Sequence, residues 1–461
     1  MTVEVEAPKY SPAYNNRYIV LSSTNTNKSR FKYVVQVFDG ATEVARINQP
    51  PDIDGNGVIE ISNILKNFVG LEPNILVNNS DNGGNHFYNF NLKYGEMYVS
   101  NWLANEISDN NGNIQLSTDG FSDVEHDYSE GDLINLDSPS NTYALSGVYR
   151  VIDVVDNKTI VINQDFLQAN TTLNYDTEYT DQRTTDFLDL ANQSDRYIYD
   201  ARLLFDENAN YNQNDYKIGT SDGLMLTGLQ NLVGEIPITQ TDKFTANYFG
   251  TLAGSMQLEV EILEPTVSSV NISINTHIGT VGFGYQEIVD NFPPVTINKY
   301  RVRLDNTTTG NTTPWITFKI VDNCSKFENK KLIWMDRFGA WNSFNFELHS
   351  TRDIQSNKTV YQRENIGGFD GTNYTVDTER YGDLVTKVNY NESFTVNSGR
   401  LTQNQIFMLE DLFTSRYVYE LDGENLIPLI LESNNYQISS LLHDRMRTLS
   451  VTYRRSNKNQ R

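Results

Sequence analysis

The residues whose types and spacing come nearest to a chemical site are Asp52-Ile53-Asp54-Gly55-Asn56-Gly57-Val58-Ile59-Glu60. Asp52, Asp54 and Asn56 fall at the first, third and fifth positions of an EF-hand loop, where hard oxygens take calcium, and Gly57 falls where such a loop turns sharply. Two features break the match. Position twelve is Asn63, so the bidentate carboxylate that closes the calcium shell is missing, and Pro50-Pro51 forbids an entering helix. A structural turn is the preferred reading, with weak calcium binding by Asp52, Asp54 and Asn56 as the alternative.

Other reactive residues are scattered. His86, His126, His277, His349 and His443 include no pair at zinc-ligand spacing and read as surface or half-buried polar residues. Cys324 is the single cysteine, which excludes an internal disulfide and a CxxC pair and fits folding in a reducing compartment. There is no GxSxG, no HExxH, no GxxxxGK[ST] and no GxGxxG ahead of a helix, so hydrolytic and nucleotide-driven chemistries lack their usual handles. The 59 acidic residues supply many carboxylate pairs, but glycoside hydrolysis needs one pair at a set separation, which spacing in sequence does not reveal. No catalytic residue, cofactor or committed metal site is assigned, and no enzymatic activity is expected. The Asn-x-Ser/Thr triplets at Asn306 and Asn311 are what chance produces in a chain with 55 asparagines.

Aromatic residues are more informative. The run from Leu332 to Phe346, LIWMDRFGAWNSFNF, sets rings closely around Gly339, and Tyr14 follows Pro12 near the N-terminus. Trp334, Phe344 and Phe346 fit the core of a strand-turn-strand unit. Trp341, beside a glycine turn, fits an exposed contact, because Trp, Tyr and Arg are favoured interface anchors. Tyr14 is a second interface candidate.

These residues need elements to hold them, and composition says which. The chain has 461 residues, 38 % of them hydrophobic, with 27 Tyr and 22 Phe, far more ring surface than a disordered chain carries. Abundant Asn, Thr, Tyr and Gly favour strands and turns over helices. The expected fold is mainly β: several antiparallel β-sandwich or barrel domains with one or two short helices. Residues 1–120 read as an N-terminal β-rich domain, opening with a hairpin whose strands flank Asp39-Gly40 and followed by a short helix after Ser62. Residues 121–168 show short strands at about ten-residue spacing, the rhythm of a small SH3-like barrel inserted in a larger domain. Residues 169–350 read as a central β-sandwich-like domain. Residues 351–461 read as a C-terminal β domain with one helix, 402–414, opened by a Thr402/Gln405 capping box, then strands turning at Asp422-Gly423 and a basic tail. No fixed-period repeat occurs, which disfavours a β-helix or propeller.

Charge narrows the partners. A formal charge of -23 argues against broad nucleic-acid binding, which depends on neutralising phosphates. No run approaches the roughly 18 apolar residues of a membrane span, and the first thirty residues resemble no targeting peptide, so a soluble chain without membrane insertion or export signal is expected. Against this acidity, Arg454, Arg455, Lys458 and Arg461 make the C-terminus basic, suited to docking on an acidic partner or neighbouring copy.

The segments SPAYNNRYIVLSSTN, FKYVVQVF, EVARI and GVIEISNILKNFV together resemble an opening shared by structural proteins of tailed bacteriophages, including crAss-like phages of Bacteroidetes. LIWMDRFGAWNSFNFELHSTRDI resembles a second element of those proteins, in which a W-x-N/D-R-F/Y-G-G/A-W/F turn leads into an F-x-F strand; Ala340 stands where glycine is frequent. The two elements cover roughly a quarter of the chain. The resemblance implies a non-enzymatic virion component of the tail, neck or baseplate, assembled in the bacterial cytoplasm into a ring or trimer. Its partners would be other copies of itself and neighbouring virion proteins. The family brings no catalytic residue with it. Two other classes follow from the aromatic surface and the carboxylates: a receptor- or carbohydrate-binding tail protein that stacks a host surface glycan on Trp341, and an enzyme acting on envelope sugars.

Overall fold

Strict alternation of apolar and polar residues builds the sheets, because successive side chains of a strand point to opposite faces. Along Met256–Glu264, Met256, Leu258, Val260 and Ile262 are buried while Glu259 and Glu261 face out. The neighbouring strand Lys299–Asn306 buries Tyr300, Val302 and Leu304 and sets Arg301 and Arg303 opposite those glutamates, in ion pairs of 2.5 and 2.6 Å. The Trp315 ring lies beneath both guanidinium groups, 4.2 and 4.3 Å from its centroid.

This computed structural model describes all residues except 28–30, 71–79, 82–85, 101–105, 118–127, 137–146, 166–170, 173–178, 186–195, 210, 219–222, 251–255, 275–277, 293–295, 322–325, 364–366, 377–381, 424, 433–447, 457–458 and 461. The protein is mainly β, with strand in 56 % and helix in 10 % of the structure, and its sheets are mostly antiparallel. It divides into two units, Met1–Gly70 with Phe87–Tyr199, and Leu71–His86 with Asp200–Arg461.

In the first unit the long strand Phe87–Ser100 is central. Lys32–Asp39 pairs with it and turns through Asp39-Gly40 into Thr42–Gln49, Gly40 taking φ +56° as the tight turn requires. The sheet continues from Phe87–Ser100 through Tyr179–Thr185, Leu133–Leu136, Gly147–Asp156, Thr159–Asp165 and Asn113–Ser117 to Glu106–Asn110. Strands from the 121–168 stretch thus pair with one another and extend on both sides into neighbouring segments. Tyr33, Val35, Val37, Leu92 and Tyr94 form one buried cluster, and Ile114, Ile134, Val151, Ile160 and Ile162 form another.

The second unit holds three larger sheets. One runs Trp341–Phe346, Lys330–Met335, Val418–Asp422, Asn425–Leu431, Ser450–Arg455, Gly382–Asn397 and Thr351–Arg363. The helix Gln403–Thr414 carries the capping box as expected: Thr402 Oγ1 accepts from the Gln405 amide at 3.3 Å, and Gln405 Oε1 accepts from the Thr402 amide at 2.9 Å. It buries Ile406, Met408, Leu409 and Leu412 on the core of this unit. Among the described residues three further α-helices, Ser62–Leu65, Phe205–Ala209 and Tyr285–Val289, are only four or five residues long.

Candidate functional site

The turn between Lys330–Met335 and Trp341–Phe346 organises a buried polar centre in the second unit. Asp336 is 4 % exposed. Its Oδ1 accepts from the amides of Phe338 and Ala340, both at 2.9 Å. Its Oδ2 accepts from the amide of Gly228 at 2.7 Å and from Asn342 Nδ2 at 3.3 Å. The turn closes through Gly339, whose φ is +81° and whose pro-Cβ position lies 2.3 Å from the carbonyl oxygen of Asp200. Glycine is needed there twice, for the backbone angle and for the space. Asn247 Nδ2 donates to the Phe338 carbonyl at 2.9 Å, and the Trp341 amide donates to Thr245 Oγ1 at 2.7 Å.

Charge gathers around this turn. Arg337 pairs with Asp411 at 3.1 Å and with Glu207 at 3.0 Å, and Arg416 pairs with the buried Asp200 at 3.2 Å. Burial pushes the Asp336 carboxyl up to about 6, against the pull of the amides of Gly228, Ala340 and Phe338. Burial, and then the charge of Asp336, pushes Asp411 up to about 7, with Arg337 opposing. Burial likewise raises Asp200 to about 6 against Arg416. His86, read from the sequence as surface or half-buried, is fully buried, and burial lowers it to about 4, so its ring is neutral at pH 7. The cavity beside these groups, lined by Asp200, Arg202, Asp336, Arg337, Ser415 and Arg416, has a volume of about 30 Å³, room for one water. The donors of this centre are used to hold a turn, which is structural chemistry.

The interface candidates fare differently. Trp341 is 1 % exposed, packed with Ile333, Met335 and Tyr419, so its ring is not at the surface and offers no stacking platform. The reason is strand direction: Gly339 ends the turn, and Trp341 already belongs to a sheet whose face is covered. Trp334, Phe344 and Phe346 are core, as expected. Tyr14 is half-buried against the first unit's core. Arg454 pairs with Glu432 at 3.4 Å. Arg455 reaches Glu420, itself 1 % exposed, at 3.2 Å and lies over the Phe394 ring. Strand Ser450–Arg455 sits between two others, so Arg455 neutralises an internal carboxylate of its own chain. Lys458, Arg461, Cys324, His126, His277 and His443 lie outside the described residues.

The Asp52 turn is built as a turn. Asp52 Oδ1 accepts from the amides of Asp54 at 2.9 Å and Asn56 at 2.8 Å, Gly55 takes φ +84°, and Tyr33 Oη donates to the Gly55 carbonyl at 2.6 Å. Among the described residues no group of three or more His, Cys, Asp or Glu is placed to hold a metal ion. Asp52→Ala is expected to cost about 1 kcal/mol by removing the hydrogen bonds that hold this exposed turn, while millimolar calcium leaves the wild-type melting temperature unchanged. A calcium-dependent rise that Asp52→Ala abolishes would reverse this reading.

The stretch 351–397, for which the sequence offers no candidate site residue, forms a long exposed element among the described residues. Thr351–Arg363 pairs with Gly382–Asn397 from Thr351 opposite Thr395 out to Arg363 opposite Gly382. Among the described residues, Gly382–Asn397 is paired on its other side from its base to its middle, by Ser450–Arg455 and, at Asn389 and Tyr390, by Asn459–Gln460. Farther out the element is a two-stranded ribbon, and every residue from Thr351 to Gln362 is exposed. Val360, 53 % exposed, stands opposite Val385, and Tyr361, 48 % exposed, stands opposite Leu384 on the other face. Beyond them a smaller hairpin, Gly367–Phe369 with Tyr374–Val376, exposes Phe369, Tyr374 and Val376. The signal available in sequence was TVYQR facing GDLVT, apolar residues at adjacent positions that put side chains on both faces.

No known protein family, curated protein or solved structure matches this chain.

Proposed function

We propose that the protein is a non-enzymatic structural component of a tailed-bacteriophage virion, part of an oligomeric tail, neck or baseplate assembled in the bacterial cytoplasm. Two sequence segments support the phage reading by resemblance, and the second of them forms the buried Asp336 turn that frames the second unit. The observation that carries the assembly reading is the ribbon. A two-stranded ribbon is marginal in water by itself, and one with aliphatic and aromatic side chains exposed on both faces is built to be covered.

The test is the particle. Mass spectrometry of purified virions from the producing phage is expected to find this chain at a copy number set by the tail's rotational symmetry, and a cryo-EM map is expected to place it between neighbours. Absence from the particle would overturn the reading. Clear hits on a glycan array, with the chain at the distal tip, would replace it with the receptor-binding alternative.

A further inference from the structure

Resting on the oligomeric part of that reading but not on the ribbon, we infer that the strand Ser268–Ile274 is a dimer seam, adding edge to edge and antiparallel to the same strand of a second copy of this chain, with Asn271 on the two-fold axis. Three observations carry the occupant and the register.

The first is an edge left bare. One sheet of the second unit runs Glu235–Ile238, Ile316–Ile320, Lys299–Asn306, Met256–Glu264 and Ser268–Ile274, and among the described residues the last strand is paired on one side only. Its free amides and carbonyls are a template for another strand, which is why edge strands are ordinarily blunted by charge, proline or a bulge. The opposite edge, Glu235–Ile238, holds both Glu235 and Pro237, and the edge Thr351–Arg363 carries Arg352, Asp353 and Lys358. Ser268–Ile274, reading SSVNISI, has no charge and no proline, and it pairs with its neighbour from Ile262 to Met256 in unbroken register.

The second is charge. The strand lies inside the longest stretch of the chain without Asp, Glu, Lys or Arg, the 22 residues from Pro265 to Gln286. On the outer face of the sheet Glu259 stands opposite Asn271 and Glu261 opposite Ser269, and both carboxylates are neutralised, by Arg303 and Arg301. Two copies of a chain of -23 repel where their acidic surfaces meet, and this edge keeps like charges out of the contact, while offering a basic partner nothing to bind.

The third is self-complementarity. A slip by one residue would set core-facing side chains against solvent-facing ones, so two copies must align about a residue and not between two. Centring on Asn271 pairs all seven positions. On the core side Val270 meets the second copy's Ile272, and both are half-buried side chains of this edge that the seam would cover. On the outer side Ser269 meets Ser273, and Asn271 meets its own equivalent. Moving the centre by one residue leaves five pairs. Seven residues span about 24 Å, a short seam, which sets the expected dissociation constant in the micromolar range. Two copies so joined face opposite ways and enter any larger assembly as a pair.

The experiment uses the full chain and substitutions at Asn271, which is exposed and points away from the core. Sedimentation over roughly 1–200 µM is expected to show a monomer–dimer equilibrium for the wild type. Asn271→Lys and Asn271→Asp are each expected to weaken dimerisation about tenfold or more, because each sets two like charges face to face at the axis, with melting temperatures retained. An equimolar mixture of the two variants is expected to recover the dimer as a heterodimer, which happens only where residue 271 meets its own equivalent. A wild type that stays monomeric across that range would overturn the inference, as would variants that dimerise like the wild type or a mixture that fails to recover. A monomeric chain found in virions would remove the seam and leave the virion reading standing, and a wild-type dimer with the recovery seen but no chain in virions would do the reverse.

Discussion

Gly339→Ala is expected to destabilise the second unit by about 2–5 kcal/mol, the sum of a left-handed backbone penalty and overpacking against a fixed atom. The added methyl would stand 2.3 Å from the Asp200 carbonyl oxygen and 3.1 Å from Asn247 Nδ2, at φ +81°. Neither neighbour is a loose chain end: the amide of Asp200 is held by the His86 carbonyl at 3.0 Å, and Asn247 is held between Phe338 and Thr280. The disturbance also reaches Asp336, because the turn that Gly339 closes presents the Phe338 and Ala340 amides to that carboxylate. Urea unfolding followed by the fluorescence of the buried Trp334 and Trp341 measures the loss. Gly310→Ala is the control, since its φ is +71° but nothing lies within 4 Å of the added carbon. It is expected to cost only the backbone share, about 1–2 kcal/mol. Equal losses for the two variants would show that the crowding at Gly339 has no energetic weight.

Asp411→Asn is expected to stabilise the protein at pH 8 by on the order of 2–4 kcal/mol, and to do so less and less as the pH falls. The Asp411 carboxyl is raised from 3.8 to about 7, so it binds its proton more tightly folded than unfolded. A raised carboxylate favours the folded state fully below the unfolded value and loses that contribution as the pH rises through the folded one. At pH 8 the wild type holds a buried anion near Asp336, whereas the neutral amide removes the repulsion and leaves Arg337 paired with Glu207 at 3.0 Å. Only below the unfolded value of 3.8, where Asp411 is protonated in both states, are the two proteins expected to melt together. His86 acts in the opposite sense in both proteins. Lowered to about 4, it costs stability as the pH falls from 6.5, so the comparison is cleanest between pH 6.5 and 8. Thermal melts at matched ionic strength across that range are the measurement. A variant less stable than wild type at pH 8, or a difference independent of pH, would show that the Arg337 pair outweighs burial.

The two variants probe one centre from its steric and its electrostatic side, and neither residue advertised its partners. Asp336 and the Gly228 amide it accepts from are 108 positions apart, and Asp411 and Arg337 are 74 apart. Paired carboxylates in a chain with 59 acidic residues carry no positional information until the sheets bring two of them to one turn. The basic C-terminus shows the same limit. Its charges are plain in sequence, but that Arg455 is spent on Glu420 follows only from Ser450–Arg455 lying inside a sheet.

What the amino-acid sequence determined by itself is what rests on neighbours along the chain. The β class follows from period-two alternation, the hairpin turns at Asp39-Gly40 and Asp422-Gly423 from glycines at φ +56° and +63°, the Asp52 turn from a side chain reaching two and four residues ahead, and the helix start from the Thr402/Gln405 box. Each contact spans four residues or fewer, so composition and order suffice. Which aromatic rings are covered, which carboxylates are buried together and which strand pair is left bare were decided by tertiary structure alone. Burial depends on what arrives at a face from elsewhere in the chain, and nothing local distinguishes Trp341, which the fold covers, from Tyr361, which it leaves in water.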